Sequence, residues 1–326
     1  MRIGLVISGG DSTGINNFIF QIANLANAEI VIFNGGIQGL LENNSQHISY
    51  REMLDFSVSS MPIISSGRTD KLLTDNEYKI VVGNLKAKRI NTLVMAGGDG
   101  SLQFLKVLSG YGVNCFGVGM TIDNDINGSE YTIGFATACE QVLKEVIKLR
   151  NTGRGLPNRV FIVELLGARC GELTLQSAIK SNADFALIPE CQVPVNDLAL
   201  KITEKLKVQN SVIILCSEGY TNEYKSGFQG AINTVVPLLE PLINIRIRKT
   251  IMGFSLRNGD PTSEEIYQGT SMANEIVRCI RSGMQNKVIV INSNNKPIPI
   301  DLISMGHRTV DTNGHYFKLG KELGII

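Results

Sequence analysis

Cys115-Phe116-Gly117-Val118-Gly119-Met120, followed without a break by Thr121-Ile122-Asp123-Asn124-Asp125-Ile126, sets the reading of the whole chain. The first six residues are apolar or glycine, as expected of a strand buried on both faces of a parallel sheet. The next six hold two acids, an amide and a hydroxyl, so a polar cluster sits where the strand leaves the sheet. In an extended segment, side chains two apart share a face, which predicts Thr121, Asp123 and Asp125 on one side. Such a group can hold Mg2+, orient a hydroxyl and accept its proton. The plainer alternative is a polar turn whose acids cap the next helix.

Outward from this stretch, strands and helices alternate, which predicts an α/β fold with parallel sheets. Arg2 to Ser8 and Thr92 to Ala96 read as strands, and each ends in a glycine turn: Gly9-Gly10-Asp11, and Gly97-Gly98-Asp99-Gly100-Ser101. Helices predicted from Ile15 to Ala26 and Leu102 to Leu108 place N–H donors behind both turns, and glycine lets the backbone approach a phosphate. Ligands of open parallel sheets collect at such strand ends. Asp99 would repel a phosphate and makes sense as a Mg2+ ligand, the metal bridging phosphates. Neither turn is a Walker A loop or a full Gly-x-Gly-x-x-Gly. The reading continues with a strand from Ile30 to Phe33 and helices from Glu77 to Ala87 and about Thr137 to Leu149. Residues 151–158 form a Gly/Pro-punctuated link. Strands are then predicted at Val160 to Leu165, Phe185 to Ile188, Val212 to Cys216, Ile247 to Met252 and Val288 to Ile291. Helices are predicted near 170–181, 196–207 and from Thr262 to Arg281.

The 326 residues suffice for two domains or one large α/β unit. With 31 basic and 30 acidic residues the formal charge is +1, which argues against a general nucleic-acid or membrane-surface binder. No apolar run approaches the ~20 residues of a membrane span. A strand beginning at the first residue leaves no room for a signal peptide, and the expectation is a cytoplasmic protein. Cys115, Cys139, Cys170, Cys191, Cys216 and Cys279 are scattered without a Cys-x-x-Cys pair and read as small core residues. His47, His307 and His315 fall in polar stretches and read as plain surface. Lys180 and Arg169 read as solvated charge on a helix face.

Taken together and in order, the motifs resemble those of 6-phosphofructokinases, in their short bacterial form. Ser8-Gly9-Gly10-Asp11 through Gly14-Ile15-Asn16, Ser65-Ser66-Gly67-Arg68, Gly97 to Ser101 and Thr121 to Asp125 carry the likeness. Thr132 to Ala138, Glu164-Leu165-Leu166-Gly167, Ser217-Glu218-Gly219 and Gly253 to Pro261 extend it over nearly the whole chain. The resemblance implies two Rossmann-like α/β domains with mainly parallel sheets, built from a discontinuous chain. Residues 1–137 plus about 252–302 would bind the nucleotide, and 138–251 plus about 303–326 the sugar phosphate. It implies a homotetramer or homodimer. It also makes Asp123 the base that takes the proton of the sugar C1 hydroxyl, with Thr121 and Asp125 holding substrate and the magnesium shell. Asp99 matches the Mg2+ site, and Gly10, Gly98, Gly100 and Ser101 the turns around the phosphates of ATP. Arg68 matches an arginine on the donor phosphates, and Glu218 a carboxylate on the sugar hydroxyls. Arg159, Arg248 and Arg257 match arginines around the 6-phosphate, two of them normally from a neighbouring subunit. Leu166, Gly167 and Phe254 fall at other substrate positions.

The departures are equally specific. Ala168 stands where the family usually has an arginine, with Arg169 one place later, and Phe254 stands where many members have a histidine on the 6-phosphate. A charged hydrogen bond of that kind is worth roughly 1.5–3 kcal/mol. Gly36 replaces an aromatic near the adenine pocket, and Phe20 and Asn24 replace two effector-site arginines. Pyrophosphate-using members carry an aspartate in place of Gly100 and a lysine in place of Met120, so both positions point to ATP. Ser66-Gly67-Arg68-Thr69-Asp70-Lys71 leans the other way. The expected activity is Mg2+-dependent transfer of the ATP γ-phosphate to fructose 6-phosphate. The alternatives are a kinase of a related sugar or sugar-like acceptor, a pyrophosphate-dependent phosphofructokinase and a weakly catalytic nucleotide-binding regulator.

Overall fold

The computed structural model describes residues 1–69, 73–221 and 230–326. The chain opens with strand β1 (Arg2–Ser8), helix α1 (Ile15–Ala26), strand β2 (Glu29–Phe33), helix α2 (Gly36–Leu41), strand β3 (Ser45–Gln46) and helix α3 (Tyr50–Asp55). Helix α4 (Asp75–Ala87), strand β4 (Thr92–Gly97), helix α5 (Asp99–Ser109) and strand β5 (Asn114–Gly119) follow, then the long helix α6 (Phe135–Gly155). Next come β6 (Arg159–Leu165), α7 (Glu172–Ser181), β7 (Phe185–Leu187), α8 (Val195–Leu206), β8 (Ser211–Ser217), α9 (Ala231–Ile243) and β9 (Ile247–Ile251). Helix α10 (Ser263–Arg281), strands β10 (Lys287–Ile291) and β11 (Pro297–Asp301), and helix α11 (His315–Glu322) complete the chain.

The residues separate into two compact units, Met1–Thr137 with Arg257–His307, and Ala138–Leu256 with Arg308–Ile326. In the first unit the described strands form one sheet in the order β11-β10-β5-β4-β1-β2-β3. Its centre is parallel, and antiparallel pairs close both edges. β4 is buried along its whole length, which is why Thr92 to Gly97 reads as a continuous apolar run instead of an alternating one. Phe33, Leu93, Met95, Leu102 and Leu105 share one core cluster. Each such side chain contributes about 1.5–3 kcal/mol through burial.

The second unit holds a parallel sheet in the order β7-β8-β6-β9, over a core that includes Val160, Ile162, Val212, Ile214 and Leu239. β9 is its edge, and Arg248 and Lys249 are exposed there. Some helix starts are fixed by a capping side chain. The Thr74 side chain accepts from Glu77 N while Glu77 returns the bond, and Thr262 accepts from Glu265 N. Two departures from the sequence reading stand out. α6 begins at Phe135 and runs through Gly153 to Gly155, so most of the expected link at 151–158 is helical. α9 escaped notice because Pro237 and Pro241 lie inside it. Interior proline costs a helix about 3 kcal/mol. Here Ile232, Val235, Val236, Leu239 and Ile243 bury an apolar stripe that offsets it.

Candidate active site

In the first unit β1, β4 and β5 lie side by side, and their last residues pair across the sheet as Ser8 with Gly97 and Gly97 with Gly119. The three turns that leave these strands therefore emerge at one level. They line a cavity of about 680 Å3 that includes Gly10, Gly98, Asp99, Gly100, Ser101, Thr121, Asp123, Asp125, Arg68 and Arg257. Its lining also includes the apolar and aromatic side chains of Ile37, Leu73, Tyr78, Phe104 and Val107. The Tyr78 and Phe104 rings stack with centroids 5.4 Å apart.

Each turn is held by local chemistry. Gly98 precedes α5 and Asp99 is its first residue, where a carboxylate is favoured by the helix dipole. Gly100 is exposed, and a Cβ built there meets nothing within 4 Å. At Gly10 a Cβ would strike the Arg257 guanidinium, so glycine is what allows that arginine to lie over the turn. Arg257 Nη1 donates to the Asp11 carbonyl at 3.4 Å. The segment carrying Arg68 is tied down beside it. Gly9 N donates to Gly67 O at 3.0 Å, and Ser66 Oγ donates to Gly9 O at 2.8 Å. Arg257, expected at the sugar phosphate, thus shares this cavity with Arg68.

The stretch from Thr121 to Asp125 is a turn, not the extended segment predicted. Asn124 takes φ +52°, and Asp123 N donates to Thr121 Oγ1 at 3.1 Å. A short polar side chain tolerates that left-handed backbone, and the curl replaces alternation as the means of aiming all three groups at the cavity. The turn is braced from behind: Thr132 Oγ1 donates to Thr121 O at 2.6 Å, and Ile133 N donates to Gly119 O at 2.9 Å. That brace is anchored in turn by Glu265 on α10. Its Oε1 accepts from Tyr131 Oη and Gly134 N, both at 2.5 Å, and its Oε2 accepts from Thr137 N and Oγ1. Burial nonetheless pushes the Glu265 carboxyl up to about 7, against the pull of these donors.

Asp125 is 9% exposed, and burial raises its carboxyl above the ordinary range, with His307 acting in the opposite sense and Asp99 adding to the rise. His307 Nδ1 lies 3.2 Å from Asp125 Oδ2, while Oδ1 is buried without a hydrogen-bond partner among the described residues. This corrects the reading of His307 as plain surface. Nothing near it in sequence could have revealed the contact; the backbone brings it there through a bridge between Ile126 and His307 and a bond from Asn127 N to Gly306 O.

In the second unit Glu218 Oε1 accepts from Gly167 N at 3.2 Å and Ala168 N at 2.9 Å, which shapes the turn after Leu166. Ala168 takes φ +49° there. Arg169 is exposed in that turn and not on a helix face, since α7 starts at Glu172. Arg159 Nη1 donates to Asn158 O at 3.4 Å, and Arg248 stands exposed on β9. Phe254 is 65% exposed, in the single helical turn Gly253–Arg257. Lys180 donates to Gln176 Oε1 at 3.0 Å. Gly36 does not line the cavity; its neighbour Ile37 does, because Gly36 packs on the backbone of Gly67. Asp70 and Lys71, which bore on the choice of donor, lie outside the described residues.

Two cations and a helix N-terminus facing carboxylates across one cavity suit a phosphoryl group and its counter-ion. A cavity at the strand ends of a largely parallel α/β sheet is the arrangement of nucleotide- and phosphate-binding folds. The chain belongs to the phosphofructokinase family, whose sequence model, described as Phosphofructokinase, matches residues 2–280. It is 31% identical over 302 residues to the ATP-dependent 6-phosphofructokinase of Teredinibacter turnerae, covering 90% of each chain. Among solved structures it is similar to the pyrophosphate-dependent phosphofructokinase of Nitrosospira multiformis, with TM-score 0.85 and 17% identity over 99% of this chain and 90% of that one. Pichia pastoris phosphofructokinase gives TM-score 0.83 and 20% identity over 93% of this chain, which spans only 37% of that longer one. These two likenesses concern the fold. The family is one of enzymes, and among the described residues no helix is long and apolar enough to cross a membrane.

Proposed function

We propose that the protein transfers the γ-phosphate of ATP to the C1 hydroxyl of fructose 6-phosphate. The observation that carries this reading is the convergence of Asp99, Asp123 and Asp125 with Arg68 on one cavity whose lining also includes apolar and aromatic side chains. Asp123 accepts the proton of the attacking hydroxyl, and Arg68 with the α5 N-terminus faces the charge that develops on the phosphoryl oxygens. ATP is favoured as donor by the open space at Gly100 and by Ile37, Tyr78 and Phe104, which offer a base an apolar berth. Pyrophosphate has no use for such apolar side chains.

No group of three or more His, Cys, Asp or Glu side chains is arranged to hold a metal ion by itself among the described residues. That suits Mg2+, which keeps waters and shares substrate phosphates in place of a full protein cage. Asp99 would hold it, with Asp125 in its outer shell, and the buried Oδ1 of Asp125 is an acceptor in want of a partner. When bound, the ion neutralises phosphate charge.

Glu218, Arg159 and Arg248 are proposed as the acceptor-binding groups, in a homodimer or homotetramer. A second reading, a related acceptor in place of fructose 6-phosphate, is favoured by Phe254, an exposed aromatic with no charge to offer a phosphate. The deciding experiment is a coupled assay of ATP and pyrophosphate against fructose 6-phosphate and a panel of sugars and phosphosugars. ATP with fructose 6-phosphate should give the highest kcat/KM, and a better rate with pyrophosphate would overturn the donor.

A further inference from the structure

Asp125 differs from its neighbours in having its two carboxylate oxygens in opposite situations. Oδ2 meets His307 Nδ1 at 3.2 Å, and Oδ1 is buried with no hydrogen-bond partner among the described residues, in a side chain that lines the cavity. A carboxylate free to turn about its last torsion presents either oxygen, or neither squarely. A fixed N–H donor on one oxygen removes that freedom and aims the other. His307 is itself fixed. Its backbone bridges Ile126, and Gly306 O accepts from Asn127 N at 2.9 Å, so the donor is stapled to the same turn whose carboxylate it holds. Ile126 is fully buried, which keeps that staple in place.

We infer that His307 is a positioning residue, whose Nδ1–H holds Asp125 Oδ2 so that Oδ1 is presented to the Mg2+-nucleotide. This rests on the proposed phosphotransferase reading, in which Asp125 belongs to the outer shell of the ion. His307 touches no reacting atom and acts only through Asp125. Its role requires a donor at one place, not a ring, and a proton on Nδ1, not a charge. Asparagine offers an amide N–H close to where Nδ1 stands, whereas phenylalanine keeps the ring's bulk without the donor.

The test compares His307→Asn and His307→Phe with the wild-type enzyme. Three quantities are measured: Mg2+-dependent ADP binding by calorimetry, kcat and KM for both substrates, and Tm. The imidazole is more than one-third exposed, so neither variant should change Tm appreciably. Loss of such an outer contact typically costs roughly ten- to a hundredfold in metal affinity or activity. His307→Phe should therefore raise the Mg2+ concentration needed for half-maximal ADP binding by about tenfold and lower kcat by a similar factor. The KM for the sugar phosphate should stay within about twofold, because a group on the donor side is disturbed. His307→Asn should recover most of both losses. A His307→Phe enzyme with wild-type kcat and an unchanged Mg2+ midpoint overturns the inference and leaves the functional reading standing. Equal impairment of both variants with a lowered Tm also overturns it, as a purely structural contact would behave that way. Wild-type protein without Mg2+-dependent phosphoryl transfer overturns the functional reading, and the inference falls with it.

Discussion

Asp123→Asn removes the proton acceptor while keeping size and the backbone bond from its own N–H to Thr121 Oγ1. Turnover should fall by ~10²–10⁴, the usual worth of a general base, with ATP binding retained. Near wild-type kcat in a steady-state assay would remove Asp123 from that role. Gly100→Asp probes the donor at the same scale. Its Cβ would enter open space, so the variant should fold normally, yet its carboxylate would occupy and charge the region proposed for the α-phosphate. The KM for ATP should rise at least tenfold, and an unaltered KM would show that the phosphates lie elsewhere. These residues were legible because strand ends, glycines and acids coincide in sequence. His307 was not, since its contact with Asp125 depends on distant chain brought alongside by backbone pairing. The positions compared through the resemblance with effector-site arginines show the same mixture. Phe20 was readable as a lost cation. That its ring lies 5.5 Å from Tyr50, whose hydroxyl donates to Asn24 Oδ1 at 3.1 Å, was not.

Among elements, α10 carries more than its packing. Glu265, in its first turn and fully buried, holds the segment from Tyr131 to Thr137 that braces the Thr121–Asp125 turn. Its carboxyl is pushed up to about 7 from an ordinary 4.5. A raised carboxyl is penalised only when charged, so this group's contribution to stability is full below about pH 4.5 and is lost as pH rises through about 7. The difference amounts to about 3 kcal/mol between those limits. Glu265→Gln cannot ionise and should flatten this part of the stability–pH curve. It should also cost a pH-independent ~1–3 kcal/mol, because an amide N–H meets the Thr137 N–H that Oε2 had accepted. Urea unfolding of both proteins from pH 4.5 to 8 decides it; parallel curves would count against the shift. The helix was predicted from Thr262 to Arg281, but nothing in the sequence singled out Glu265. Its partners lie 128 to 134 residues away in sequence. α9 is the converse case, an element hidden by Pro237 and Pro241 that burial of one apolar face supports.

At the scale of the molecule, the groups proposed for the donor and those proposed for the acceptor belong to different compact units. Arg68, Asp99, Asp123 and Asp125 lie in Met1–Thr137, and Arg257 in the segment that returns to it. Arg159, Glu218 and Arg248 lie in the other unit. The alternation of strands and helices made both sheets legible, because parallel strands buried on two faces announce themselves as apolar runs. A chain that leaves the first unit and comes back at Arg257 leaves no such periodic trace; only the ordered motifs hinted at it. The division gives a separable expectation. Arg248 stands exposed on the edge strand β9, available to grip a phosphate dianion with a planar, permanently charged fork. That dianion is remote from the transferring group, so Arg248→Ala should remove binding that is equal in ground and transition states. The KM for fructose 6-phosphate should rise, by about tenfold or more for a lost charged hydrogen bond. The KM for ATP should move by less than about twofold. Lys at the same position should restore only part of the affinity, because a point charge cannot reproduce bidentate contact. If Arg248→Ala leaves the sugar-phosphate KM unchanged, or if an unphosphorylated sugar is turned over better than fructose 6-phosphate, the cationic clamp is the wrong description. Phe254, exposed and apolar, then becomes the residue around which the acceptor is chosen.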